Sequence, residues 1–294
     1  MRQIRGELVR LEGGGHIAYD EYGDPQGAPV LFYHGWPSSR SMAQLADDAA
    51  RRLGVRIISP DRPGICASSF VPERTLLDWP CVLRGVIAHF GLAKFRILAI
   101  SGGAPYGYIT AWALPEQVEA VAVVSGAPPI AELADQAGLW RIHRWMLALH
   151  SSHRSLLRGM FRVVRPLATL RMTIRHRPFL RLALQRLDAE ALRDARAFDA
   201  FFNSSREAWR ASLDGVLTDA EIYARPWGFP LEEVQVPVRI WHGMKDRTFS
   251  YRLAEELACR IPNCQLRIVE NAGHYSLPIR HVDEILSDLI SAGR

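Results

Sequence analysis

The stretch ILAISGGAPYG, residues 97–107, decides the fold. An apolar run ends in one serine, two glycines follow, and the pattern then turns helical. A nucleophilic hydroxyl must project clear of a sheet on a tight strand-to-helix turn, and small neighbours are needed where backbones crowd such a turn. A serine there also sits at a helix N-terminus, where unpaired N–H groups and the macrodipole favour developing negative charge. The pattern G-x-S-x-G reads Ala99-Ile100-Ser101-Gly102-Gly103, with alanine in the first glycine place. Taken alone, Ser101 is equally well explained as a helix N-cap.

The flanking sequence supplies the context. Glu7–Leu11 and Ile17–Tyr22 alternate as short strands around Gly13, Gly14 and Gly15, which suit a hairpin turn. Val30–Tyr33, Arg56–Pro60, Arg96–Ile100 and Val118–Ser125 read as strands, separated by helical stretches at Ser39–Arg52, Leu76–His89 and Ala104–Leu114. Continuous apolar strands between helices indicate a mostly parallel sheet covered on both faces, an α/β fold.

After Ala127-Pro128-Pro129 the alternation stops, and about a hundred residues show helical periodicity only. Ile142, Trp145, Met146 and Leu149 form one stripe, and Leu156, Leu157, Met160, Phe161 and Val164 a second. Leu192, Ala195, Phe198 and Phe202 form a third. The strand–helix rhythm returns at Val238–His242, Tyr251–Arg260, Gln265–Val269 and Val282–Ile290. The expected organisation is therefore a core made of 1–127 and 228–294, interrupted by an all-helical cap, 128–227, between strands six and seven.

Composition narrows the classes. With 48% hydrophobic and 23% charged residues over 294 positions, the chain is neither disordered nor fibrous. Its net charge of +5 is too small to imply nucleic acid. The four cysteines form no C-x-x-C pair, so neither a disulfide framework nor a zinc site is indicated. The opening MRQIRGELVRLEGGG has no apolar signal-peptide core, and the longest uncharged run, Ile97–Pro115, carries Ser-Gly-Gly-Ala-Pro in its middle. A cytoplasmic, reducing compartment is the expectation.

These segments resemble the α/β-hydrolase fold family across nearly the whole chain. Besides the elbow at Ser101, His34-Gly35-Trp36-Pro37 after the third strand resembles the family's oxyanion loop. The resemblance implies that the backbone N–H groups of Trp36 and Gly102 hold the oxyanion, with His34 and Gly35 bracing the loop. Asp61-Arg62-Pro63-Gly64 is similar to the family's D-R-P-G-x-G-x-S turn; Ser68 fits, but Cys66 stands where glycine is usual. A positive φ there would strain the cysteine.

In the family's order of serine, acid and histidine, Asp246 follows strand seven in VRIWHGMKDRT, residues 238–248. His274 follows strand eight in VENAGHYS, residues 269–276. His274 would accept the Ser101 proton, and Asp246 would fix the imidazole tautomer. The segment after strand six, Ser125-Gly126-Ala127, offers no rival carboxylate, and serine at the elbow argues against the dehalogenases and epoxide hydrolases that use aspartate.

The resemblance thus implies a cofactor-independent, metal-free serine hydrolase acting on a small to medium, largely uncharged carboxylic ester. A lactone, a thioester, a carbon–carbon bond or perhydrolysis would suit the same site, and a ligand-binding module with a vestigial triad is the rival from another class. The expected partner is a small-molecule substrate, and the oligomeric state is not legible. Most of the apolar stripes read as cap core, and some of Trp140, Trp145, Met146, Phe161 and Phe202 are expected to roof the pocket. Between Arg141 and Arg186 stand 11 Arg and four His with no Asp or Glu. That run reads as a solvated face opposite inward-turned apolar stripes; the alternative is a surface for an anionic substrate, partner or membrane.

Overall fold

Val30–Phe32, Ile57–Ile58, Ile97–Ile100 and Ala120–Val124 are apolar at every step, so each strand can bury both faces. The computed structural model describes residues 4–133, 136–171 and 184–292 and arranges these strands in one eight-stranded sheet. The strands are β1 (Glu7–Arg10), β2 (His16–Gly23), β3 (Ala28–Tyr33), β4 (Val55–Pro60), β5 (Phe95–Ile100), β6 (Val118–Val124), β7 (Val238–Gly243) and β8 (Cys264–Val269). Their order is β1-β2-β4-β3-β5-β6-β7-β8. β1 and β2 pair antiparallel, as do β2 and β4; the six strands from β4 to β8 in that order run parallel.

Alternate residues of the central strands enter two separate cores, as the two-residue period of a strand requires. Leu31, Ile97, Ala99, Val121 and Ile240 pack on one face. There they meet α2 (Trp79–Phe90), α3 (Ala104–Ala113) and α9 (Tyr251–Arg260). Phe32, Leu98, Ile100, Ala122 and Trp241 pack on the other, against α1 (Asp47–Arg52) and α10 (Ser276–Ser291). The helical stretch expected over 39–52 divides into a 3-10 turn, Arg40–Ala46, and the short α1. α10 begins at Ser276, six residues before the apolar period announces it. Pro278 lies in its first turn, where no intrahelical N–H donor is required.

Between β6 and β7 the chain forms α4 (Arg141–Ser152), α5 (Arg154–Ala168), α6 (Arg186–Ala191), α7 (Ala195–Ala211) and α8 (Leu213–Tyr223). These helices have a small core of their own, with Leu157, Phe161, Ala208, Trp209, Val216 and Leu217 closing on Ile65 from the loop after β4. A one-residue bridge from Leu139 to Phe249 ties the insertion to the loop after β7. All the elements that carry the resemblance's motifs therefore converge at the C-terminal ends of the parallel strands, where open α/β sheets gather their sites.

Candidate active site

β5 ends at Ile100, and Ser101 adopts φ +52°, a left-handed conformation that costs a non-glycine residue about 1–3 kcal/mol. Residues 101–103 make one 3-10 turn and α3 follows directly. The turn has no spare room: a Cβ on Gly103 would stand 2.2 Å from the carbonyl oxygen of Tyr33. Alanine fits the first glycine place because α3 presents Gly107 opposite it. A Cβ at 107 would lie only 3.3 Å from that of Ala99. Cys66 does adopt a positive φ, +47°, so the loop after β4 keeps the conformation expected for glycine and accepts the strain.

The loops after β7 and β8 bring Asp246 and His274 to the elbow. His274 Nε2 lies 3.0 Å from Ser101 Oγ, and His274 Nδ1 lies 2.8 Å from Asp246 Oδ2. Asp246 Oδ1 accepts the backbone N–H groups of Thr248 and Phe249 at 2.7 and 3.1 Å. Burial opposes ionisation of Asp246, but the neighbouring His274 outweighs it and holds the carboxyl below its usual range. Burial likewise pushes His274 down, yet the charge and hydrogen bond of Asp246, with Asp188 behind, raise it above its ordinary value. With Nδ1–H donated to the carboxylate, Nε2 is left as the acceptor facing the serine hydroxyl.

Asp188 was not foreseen. It comes from α6, is 3% exposed, and its oxygens accept the N–H groups of His274, Tyr275 and Ser276 at 3.2, 3.2 and 2.8 Å. The Ser276 hydroxyl donates to it as well, at 2.7 Å. A carboxylate from the insertion thus caps the start of α10 and clamps the turn that carries His274, a favourable place for negative charge.

On the other side of Ser101 the loop after β3 carries Trp36. Its backbone N would be 3.0 Å from a Cβ on Gly102, so the two main chains lie side by side next to the serine. His34 is fully buried, with Nδ1 3.0 Å from the Gly35 carbonyl; burial, and then Arg62, push its pKa well down and keep it neutral. Arg62 holds the same loop by donating to the carbonyls of His34 and Gly35 at 2.7 and 2.8 Å. Two contacts from α8 finish the brace: Tyr223 OH donates to Gly102 O at 2.8 Å, and Val216 O accepts Trp36 Nε1–H at 3.0 Å.

Ser101, Gly102 and His274 open into a cavity of about 390 Å³ roofed by the insertion. Of the five cap candidates, Trp140, Met146 and Phe161 line it, and Trp145 and Phe202 do not. α4 turns Ile142, His143, Met146, Leu147 and His150 to the cavity, which carries Trp145 round to solvent at 50% exposure. Phe202 shares a face of α7 with the lining residue Trp209, but lies about 10 Å further along the axis, stacked on Phe198. His143 is a lining residue that the apolar stripe concealed. It stacks on Phe249 with centroids 5.4 Å apart, and burial, then His274, push it down to about 4, so it is neutral. Among the described residues the lining includes no Lys, Arg, Asp or Glu.

A parallel sheet with a strained serine elbow, and an acid and a histidine on the following strand ends, defines an α/β hydrolase architecture. A family model described as the alpha/beta hydrolase fold matches residues 28–279, and the chain belongs to that family. It is 25% identical over 279 residues to the uncharacterized hydrolase YcgS of Bacillus subtilis, covering 92% of each chain. Among solved structures it is similar to an esterase from Exiguobacterium antarcticum, with TM-score 0.69, 18% identity, and 97% of this chain and 98% of that one covered. A bromoperoxidase from Bacillus anthracis is equally similar in fold, with TM-score 0.69, 19% identity and coverages of 97% and 99%.

Proposed function

We propose that the protein is a serine hydrolase that cleaves a small to medium, largely uncharged carboxylic ester through an acyl-enzyme at Ser101. One observation carries the reading: the hydrogen-bonded line Ser101–His274–Asp246 lies open to an apolar cavity whose described lining has no Lys, Arg, Asp or Glu. A hydroxyl alone is a poor nucleophile at neutral pH, and His274 Nε2 is positioned to take its proton as Oγ attacks the ester carbonyl. Asp246 holds the tautomer and stabilises the imidazolium that forms. The N–H groups of Trp36 and Gly102 are the donors proposed for the oxyanion, beside an apolar-lined cavity.

Collapse of the tetrahedral intermediate expels the alcohol, protonated by His274. Water activated by the same imidazole then releases the acid. The apolar lining favours a neutral acyl chain and excludes carboxylates, which would enter without a counter-charge.

The test is fluorophosphonate labelling of the wild-type chain beside a panel of chromogenic esters of rising acyl length. Modification of Ser101, with turnover of neutral esters, is the expected result. Labelling elsewhere, or tight ligand binding with turnover far below about 1 per second, overturns the assignment.

A further inference from the structure

The apolar stripes of the insertion do not all turn inward. On α5, Leu156, Val163 and Leu167, with Leu170 just past the helix end, recur at i, i+7, i+11 and i+14. At about 100° per residue the three helical ones fall within about 40° of one another. Their exposures are 59, 77, 69 and 61%. Leu157 and Phe161, further round the same helix, are buried against α7 and α8. α4 adds Ile142 and Trp145 at 45 and 50%. Side chains of this size standing bare together mark an interaction surface.

Charge says what the surface meets. Over the described residues 141–171 the segment carries no acid, and Arg141, Arg162 and Arg171 are exposed, while Arg158 is paired with Asp214 of α8. Two copies of this face laid together would set guanidinium against guanidinium, which disfavours self-association. An anionic, apolar-backed surface satisfies both features at once. The face also continues into the cavity, because Trp140, Ile142 and Val164 line it and are still 48, 45 and 41% exposed.

We propose that the α4–α5 face docks on an anionic lipid surface, with the leucine–valine stripe among the acyl chains, the arginines at the headgroups and the cavity mouth at the boundary. The helices lie in the interface; among the described residues no helix is long and apolar enough to cross a membrane.

Co-sedimentation of the full chain with phosphatidylcholine vesicles, with and without phosphatidylglycerol, tests this. Binding to the anionic vesicles is expected to exceed that to phosphatidylcholine alone by about tenfold or more. It should weaken as added salt shortens the Debye length from about 10 Å to about 3 Å. Val163→Glu with Leu167→Glu should reduce binding by about tenfold or more, and Arg162→Glu by less. Asp214 stands 3.6 Å from Arg158, which makes Arg162 the better probe of charge. Should the double glutamate variant lose its native circular dichroism, Leu156→Ser with Leu170→Ser reads the same face. Ser101→Ala should sediment like wild type, so the result stands apart from hydrolysis. Absent or equal binding to both vesicle types overturns the proposal, as does binding untouched by the stripe variants. A dimer that those variants dissolve would show that a second copy covers the face instead.

Discussion

Arg62 and Asp219 form a buried ion pair, Nε to Oδ2 at 2.7 Å, with side chains 2% and 0% exposed. The pair joins the turn after β4 to α8 of the insertion, and the other two nitrogens of Arg62 hold the carbonyls of the loop that carries Trp36. Arg74 and the Tyr106 hydroxyl also donate to Asp219. The insertion is thereby coupled to the position of the Trp36 amide.

Asp219→Ala would leave two guanidinium groups buried with no carboxylate between them. Removing one side of a buried pair costs about 3–5 kcal/mol, and urea unfolding measures it. We expect kcat for a soluble ester to fall more than KM rises, because a displaced Trp36 loop harms the transition state more than the ground state. A stability loss under about 1 kcal/mol would show that the network is not the brace described.

Ser101→Ala should abolish turnover and leave the fold intact. Ser101→Gly should also be inactive, yet more stable than the alanine variant by about 1 kcal/mol, because glycine adopts φ +52° without strain. Denaturant midpoints of the two variants compare them directly; equal midpoints would mean that the elbow stores no strain.

The pH dependence follows from His274, whose pKa lies above its ordinary 6.5. Only the neutral imidazole accepts the serine proton, so kcat/KM should rise with pH through a midpoint above that value. Stability runs the other way. A group raised in the folded state contributes fully below its unfolded pKa, and that share is lost as pH climbs through the folded value. Asp246→Asn should lower kcat by roughly 10⁴. Asp188→Asn should move the midpoint of the pH–rate profile downward, since it removes the second negative charge beside the ring. An unmoved midpoint would reduce Asp188 to a helix cap.

Acyl-chain length probes the cavity. Each buried methylene contributes about 0.8 kcal/mol, so kcat/KM should climb about fourfold per carbon until the 390 Å³ cavity is full, then fall. Met146→Trp should bring that turning point to shorter chains, with the shortest esters little affected. A profile that the substitution leaves unchanged would place the acyl chain elsewhere.

Several features are legible from sequence because neighbours along the chain create them. The elbow at 97–107 follows from a strand period running into Ser-Gly-Gly and a helix. The two-faced burial of β3 to β7 follows from uninterrupted apolar runs, and the family resemblance supplies the order of Ser101, Asp246 and His274 after β5, β7 and β8. Even the strain at Cys66 could be anticipated from the motif around it.

What stayed hidden depends on segments far apart in the chain. Asp188 meets the His274 turn across 86 residues, and Arg62 meets Asp219 across 157. No local pattern marks which carboxylate among many will be buried against which donor. The rotation of α4 and α5 about their axes was likewise undecided, since an apolar stripe states that a helix has two sides and not which side meets the core. Hence Trp145 reads as a pocket residue, His143 is concealed, and Leu156 reads with the core stripe of α5, whereas Phe202 misses the cavity by its position along α7. The sequence by itself determined the sheet and the elbow, because strand and turn preferences act between near neighbours. Only tertiary packing decided how the helical insertion turns its faces and locks onto the site, because the free energy of burial is settled between surfaces the chain brings together last.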